Sequence, residues 1–410
     1  MVIYAQAETS ESAAPAPQMA TERLAHLDNL KIVLTAGVIV AHAAMTYGAV
    51  GTWVYEEPSL SDVASGILGA LVGAGVMFGL GLFFLMGGML TTAPLTRRGP
   101  RRFLTSRVWR LGVPLVVYAA VVWPVLRWLI DRIEGDTQSL WAFYRYEFTG
   151  DRWQSLGTGP LWFVAILLVV TIAWSLWRWA RPAQASRPSS PLELRHLAIT
   201  AGAVALGTFV VRLWFPVDSA QFLDVHVWIW PQSAALFVLG AIATERGWLV
   251  ALPEALRRDC HLAAIGAVVA LVGLIFLSDG PDAFEGGWHW EAAGFAVFEG
   301  VFSVTVSLIV LDRFRRLHAH QGPLGRRLAG ASYGAFVAQG LVLVLIALAL
   351  RNANLPGDVK FLILASTAVI ASFGLADLVA TGLNNLRRRP GPGSDRGLDR
   401  LEELPGSHPA

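Results

Sequence analysis

The chain has 410 residues, 54% of them apolar and only 15% charged, with 16 tryptophans and a mean hydropathy of +0.52. Soluble domains carry about 25% charged residues, so this composition excludes a disordered, collagen-like or disulfide-stapled chain and argues against an ordinary soluble enzyme. The net charge of +2 points to no nucleic acid; the expected partner is the lipid bilayer.

Residues 1–26 are rich in Ala, Ser, Pro and Glu and lack the basic and apolar regions of a signal peptide, so they are expected to be unstructured. Met19 offers an alternative start. A bilayer core about 30 Å thick needs about 20 mostly apolar residues per helix. Ten segments meet this: roughly 30–50, 65–90, 111–130, 160–180, 196–215, 228–245, 261–278, 292–311, 330–350 and 360–383. They predict an all-α bundle of about ten transmembrane helices forming one domain over 27–386. The uncharged stretch Val63–Thr96 is too long for one straight crossing and reads as a tilted or kinked helix with a re-entrant or interfacial lead-in. Gly69, Gly73, Gly75 and Gly79 within it are spaced for helix packing. The loop 131–159 places Trp141, Tyr144, Tyr146 and Trp153 among charges, as a membrane-surface belt or a cap over a cavity. Residues 387–410, Pro/Gly-rich and of mixed charge, read as a disordered tail.

Cytoplasmic loops are enriched in Lys and Arg. With the N-terminus inside, 25 of the 32 basic residues fall on the inner side and seven outside. The outer loops carry Glu56 and Glu57, then Asp279, Asp282 and Glu285. Ten crossings with both termini cytoplasmic follow, in a cell (inner or plasma) membrane. Any chemistry then belongs to the membrane or its loops.

A charge at the bilayer centre costs at least about 2.5–3.5 kcal/mol, so each ionisable residue inside a span is a functional candidate. His42 lies in VIVAHAAMTYG, with no charged residue between Lys31 and Glu56. Lys31 precedes it by eleven residues, about three helical turns, and therefore shares its face; Asp28 pairs with Lys31 at spacing i,i+3. An imidazole there can take a proton from a hydroxyl, and cations on the same face can hold an anionic donor. The plain alternative is a hydrogen-bonded core histidine above an interfacial ion pair. Glu299, in AVFEGVFSV, can orient an imidazole or pack in protonated form. Arg212 and Glu245 sit at helix ends, where snorkelling accounts for them. TRRGPRRFLTSRVWR holds six arginines, and Arg107 and Arg110, three apart, are expected to point partly into the bundle. Such a cluster suits phosphate groups, or simply anionic lipid and orientation. Cys260 stands alone, a small packing residue, and no HExxH-like spacing supports a metal.

Several stretches together resemble the acyltransferase 3 family of integral membrane acyltransferases, in the branch around glucan biosynthesis protein C. RLAHLDNLKIVLTAGVIVAHAAMTYG is similar to the family's opening helix, with its basic residue, ten residues and histidine. FFLMGGMLTTAPLTRRGPRRFLTSRVWRLGVPLVVY resembles the next block, with RxxR at Arg107 and Arg110, and GPLWFVAILL from Gly159 the start of the fourth helix. RLWFP, PQSAALFVLGAIATERGWL and SYGAFVAQ complete the likeness. The resemblance implies transfer of an acyl group from cytoplasmic acyl-coenzyme A, as co-substrate rather than cofactor, to a hydroxyl of an envelope carbohydrate or glycolipid. It implies His42 as the catalytic base, with donor binding by Arg107, Arg110 and Lys31. The chain departs from the family at Lys31, usually arginine, and at Gln339, often histidine. The competing expectation is a transporter or lipid-handling protein with His42 and Glu299 on a proton path, although the two halves show no internal repeat.

Overall fold

The computed structural model describes residues 16–149, 157–181, 191–217, 219, 221, 224–248, 252–278 and 280–388, the side chains of 16–24, 383–384 and 386–388 excepted. All regular structure among the described residues is helical. Ten helices are long and apolar enough to cross a membrane. In chain order they are span 1 (Ala25–Thr46), span 2 (Asp62–Arg98), span 3 (Pro100–Glu134), span 4 (Gly159–Ala180) and span 5 (Leu194–Arg212). Span 6 (Val227–Glu245), span 7 (Glu254–Leu277), span 8 (Trp290–Leu317), span 9 (Pro323–Leu350) and span 10 (Gly357–Gly382) follow. Each coincides with one expected segment.

The differences lie at the ends and in spans 2 and 3. The first helix begins at Ala16, so residues 16–26 are helical rather than unstructured. The last runs to Arg388. The expected unstructured segment 1–15 and the tail beyond 388 lie outside the described residues, as does Trp153. Span 2 has no re-entrant lead-in: 37 residues continue as one helix, widened to a π turn at Gly75–Gly79. At 1.5 Å per residue it is about 55 Å long, so it must tilt or project beyond the bilayer. The arginine-rich segment expected as a loop is the first part of span 3. Gly99 alone separates the two helices, with φ +73 that a side chain would resist.

Span 3 holds two more π turns, Val108–Gly112 and Tyr118–Val122. Each is followed within two residues by a proline, Pro114 and Pro124. Proline lacks an N–H and crowds the carbonyl four residues back, and widening the helix relieves both. The Ala120 carbonyl opposite Pro124 is taken instead by the Tyr144 hydroxyl, which donates to Ala120 at 3.1 Å and to Val121 at 3.2 Å. Tyr144 lies on the short helix Leu140–Thr149, which thereby docks on span 3 while Trp141 faces outward.

One apolar core joins spans 2, 4, 6 and 8, and a second joins spans 1, 9 and 10. Spans 2 and 6 touch backbone to backbone: a Cβ on Gly88 would strike the Phe237 carbonyl, and one on Gly240 the Leu85 carbonyl. Gly73, Gly75 and Gly79 have open space instead, so the close crossing lies further along span 2 than the glycine spacing suggested. Cys260 is buried as a packing residue.

Ion pairs sort to two ends of the bundle. At one end, where span 1 begins, Arg178 meets Glu245 at 3.1 Å, Arg327 meets Asp377 at 2.6 Å, and Asp312 gathers Arg315 and Arg316 at 2.7 and 2.8 Å. Asn29 donates to the carbonyls of His318 and His320 there. At the other end Arg127 binds Glu147 at 3.0 Å, and Lys360 binds Glu57 at 2.6 Å. The first is called the basic end below, the second the pocket end.

Candidate active site

Span 1 carries His42 one turn before its terminus, next to the pocket end. The Nδ1 atom of His42 lies 3.2 Å from Oε1 of Gln339 on span 9, whose side chain is fully buried. With the amide oxygen facing the ring, Nδ1 carries the proton and donates, and Nε2 keeps its lone pair. One face of the imidazole stacks on Trp53, with centroids 4.2 Å apart and planes at 25°.

The loop after span 1 folds back to bring Trp53 there. Its backbone N–H donates to Glu56 Oε1 at 2.8 Å, and the Glu57 N–H donates to the Thr46 carbonyl at 2.7 Å. The Glu57 carboxylate accepts from Tyr55 at 3.0 Å and from buried Lys360. Burial and then the Glu57 hydrogen bond push the Tyr55 phenol up to about 12, which keeps it a donor. Glu56 and Glu57, expected only as topological markers, are the pins of this loop.

His42 opens into a cavity of about 430 Å³ at the pocket end. Trp53, Trp123 and Trp162 supply aromatic walls, while Arg127, Asp131, Gln221, Asp224 and His226 supply polar groups. Trp123 sits in place because Gly157 and Gly159 pass against its ring, where a Cβ at either position would collide; Gly159 also has φ +50. Behind Trp123, Tyr118 stacks at 6.3 Å, and its buried hydroxyl has no partner. The helix Leu140–Thr149 caps a neighbouring cavity of about 550 Å³ through Phe143, Tyr146 and Glu147, so this part of the expected surface loop is a cap as well as a belt.

The other expected residues are elsewhere. Lys31 pairs with Asp28 at 2.9 Å near the basic end, eleven residues or about 16 Å along span 1 from His42. They share a face but not a site. Arg107 is half-buried, donates to the Leu90 carbonyl at 3.4 Å and lies over the Phe103 ring. Arg98 and Arg110 are near enough to act on it electrostatically. Arg110 itself is exposed rather than turned into the bundle, although its charge reaches the Tyr333 hydroxyl, which has no partner.

Glu299 does not orient His42. Its carboxylate lies 2.7 Å from Arg212, and both side chains are fully buried. The Arg212 guanidinium also lies over Trp228 at 5.3 Å and Phe295 at 5.6 Å. Arg212 is therefore a buried partner, not a snorkelling helix-end residue. Glu245, also expected to snorkel, is tied to Arg178.

Sequence reasoning missed the loop residues Gln221, Asp224 and His226, because a search for charges inside spans passes over loops. DVHVW, with its carboxylate and imidazole beside an aromatic span start, was the available signal. Among the described residues no group of three or more His, Cys, Asp or Glu is placed to hold a metal ion.

The sequence model of the acyltransferase 3 family, described as an acyltransferase domain, matches residues 24–381. The chain belongs to that family and is a multi-pass membrane acyltransferase. No curated protein and no solved structure matches it.

Proposed function

We propose that this membrane acyltransferase moves an acyl group from acyl-coenzyme A to a hydroxyl of an envelope carbohydrate or glycolipid, with His42 as general base. The observation that carries the reading is the His42 environment. Its Nδ1 is tied to Gln339, its ring is braced by Trp53, and Nε2 is left for a substrate in a cavity of mixed aromatic and polar walls. Flat indole surfaces with carboxylate, amide and guanidinium groups suit a polyhydroxylated ring, which presents apolar C–H faces and hydroxyl edges.

In the proposed step, Nε2 of His42 takes the proton of the acceptor hydroxyl as its oxygen attacks the thioester carbonyl. The C–S bond breaks, and the leaving coenzyme A thiolate takes the proton back from the imidazolium. No resident cofactor or metal is needed. The donor's phosphates would sit at the basic end, in the cytoplasm of a cell-membrane protein, held by Arg107, Arg110 and Lys31 with Asp28 steadying the lysine. The roughly 16 Å between Lys31 and His42 is a distance that a pantetheine arm spans. Along that length the unpartnered Tyr333 and Tyr118 hydroxyls and the Gln339 amide nitrogen offer hydrogen-bond partners to its amides. Glu299 takes no part beyond fixing Arg212, and a shared proton path with His42 has no observation in its favour.

The test is mass spectrometry of envelope glycans and lipids from cells with and without the gene, beside release of coenzyme A thiol by the purified protein. An acyl mass difference with thiol release supports the reading. Normal glycans in the deletion strain together with an inert purified protein would defeat it.

A further inference from the structure

The cavity that His42 faces contains a second imidazole held in the same way. His226 stacks on Trp162 with centroids 4.6 Å apart and planes at 24°, as His42 stacks on Trp53. Its Nδ1 lies 2.7 Å from the Asp224 carbonyl, as that of His42 lies against the Gln339 amide oxygen. Nδ1 is thus the donor in both rings, and Nε2 is left as an acceptor.

The loop that carries it is held in an uncommon conformation. Asp224 and His226 are the two non-glycine residues with positive φ among the described residues, at 50° and 47°. Such a backbone persists where its surroundings over-determine it. Here Gln221 accepts from the Val227 N–H, and Trp230 Nε1 donates to the Val225 carbonyl at 2.9 Å. Trp228, two residues on, lies under the buried Arg212–Glu299 pair. Relaxing the loop would turn the His226 ring away from Trp162.

We propose that His226 is an acceptor-positioning residue: its Nε2 accepts a hydrogen bond from a hydroxyl of the carbohydrate acceptor and fixes the ring over the cavity, while His42 takes the proton of the hydroxyl that reacts. Asp224 and Gln221 stand on the same wall and complete a polar edge opposite the span 1 face. The inference rests on the acyltransferase reading of the cavity and adds the group that sets which hydroxyl is presented.

The test uses full-length protein in nanodiscs, with acetyl- and succinyl-coenzyme A offered as donors and glycans extracted from gene-deletion cells as acceptors. His226→Phe keeps an aromatic ring against Trp162 but removes the nitrogen, and His226→Asn keeps a polar group with tolerance for positive φ. Expected for His226→Phe is a rise of roughly tenfold or more in the half-saturating glycan concentration, the effect of one lost hydrogen bond. Binding of a thioether analogue of the donor should be retained, and His226→Asn should fall between. His226→Gly, which relaxes the backbone, should lose acceptor affinity like phenylalanine without lowering the melting temperature. Unchanged half-saturation in His226→Phe, or a parallel loss of donor-analogue binding, would overturn the assignment. If the wild-type protein transfers no acyl group at all, the acyltransferase reading of the cavity fails first and takes this one with it.

Discussion

His42 and Gln339 are 297 residues apart in the chain and 3.2 Å apart in space, joined across the packed faces of spans 1 and 9. The contact makes the histidine directional, with one nitrogen spent on the protein and one kept for a substrate. It also gives the Gln339 departure a physical role: a neutral amide selects the tautomer of the imidazole without adding a charge beside it.

Removing the base itself should cost on the order of 10²–10⁴-fold in transfer rate. His42→Ala and His42→Gln are both expected to lose transfer yet keep expression, melting temperature and donor binding. A glutamine variant with near-normal turnover would return His42 to an ordinary buried histidine.

Gln339→Leu leaves the Nδ1 proton without its acceptor, a loss of about 1 kcal/mol in a typical hydrogen bond and so of roughly fivefold in rate. Nitrogen NMR of labelled histidine should show the Nδ1–H tautomer of His42 in the wild type and a mixture in the leucine variant. An unaltered spectrum would mean that other contacts set the tautomer.

At the basic end, half-buried Arg107 should matter more to donor binding than exposed Arg101, since water and salt screen the exposed charge. Arg110, also exposed, is expected to give an intermediate effect because it lies close to Arg107. Titrating acyl-coenzyme A against the three alanine variants orders them; three equal losses would assign the cluster to lipid or orientation. Lys31→Arg is expected to preserve or raise donor affinity, because the guanidinium adds a forked phosphate contact.

The Arg212–Glu299 pair should behave as a buried ion pair does. Arg212→Leu or Glu299→Leu alone is expected to destabilise the protein by about 3–5 kcal/mol, and the double change to recover most of that loss. Melting curves in detergent of the four proteins complete the cycle. A double variant as unstable as either single one would show that the pair does more than satisfy itself.

The orientation follows from the partition of basic residues. Reporter fusions after Arg102 and Arg316 are expected to read cytoplasmic, and those after Glu57 and Asp282 external. One fusion on the wrong side would reverse the assignment of the two ends.

The ten spans were legible because hydrophobic length is a local property, and each crossing needs about the same number of apolar residues. His42 was legible for a related reason, since an ionisable group in an apolar run stands out without knowledge of its neighbours. Its partners were not. Gln339 comes from span 9, Trp53 from a folded-back loop, and Trp123 from behind two π turns whose residue count does not show in hydropathy. Arg212 looked interfacial because its distance from a helix end was visible and its burial under Trp228 was not. The likeness to the family identified the start of span 4, but not that Trp162 there braces a second histidine.

The π turns of span 3 have a genetic consequence. Each turn holds one residue more than an α-helix would, so it is the helical equivalent of a single-codon insertion. Deleting one residue between Tyr118 and Val122 would tighten that turn and rotate everything after it by about 100° relative to everything before. Arg107 and Tyr118 would keep their bearings, while Trp123, Arg127 and Asp131 would swing off the cavity. Length variation that a loop would absorb silently is therefore intolerable in the middle of this helix. A one-residue deletion scan along span 3 should find its sharpest loss of function between Tyr118 and Trp123, in a stretch with no ionisable side chain apart from one phenol.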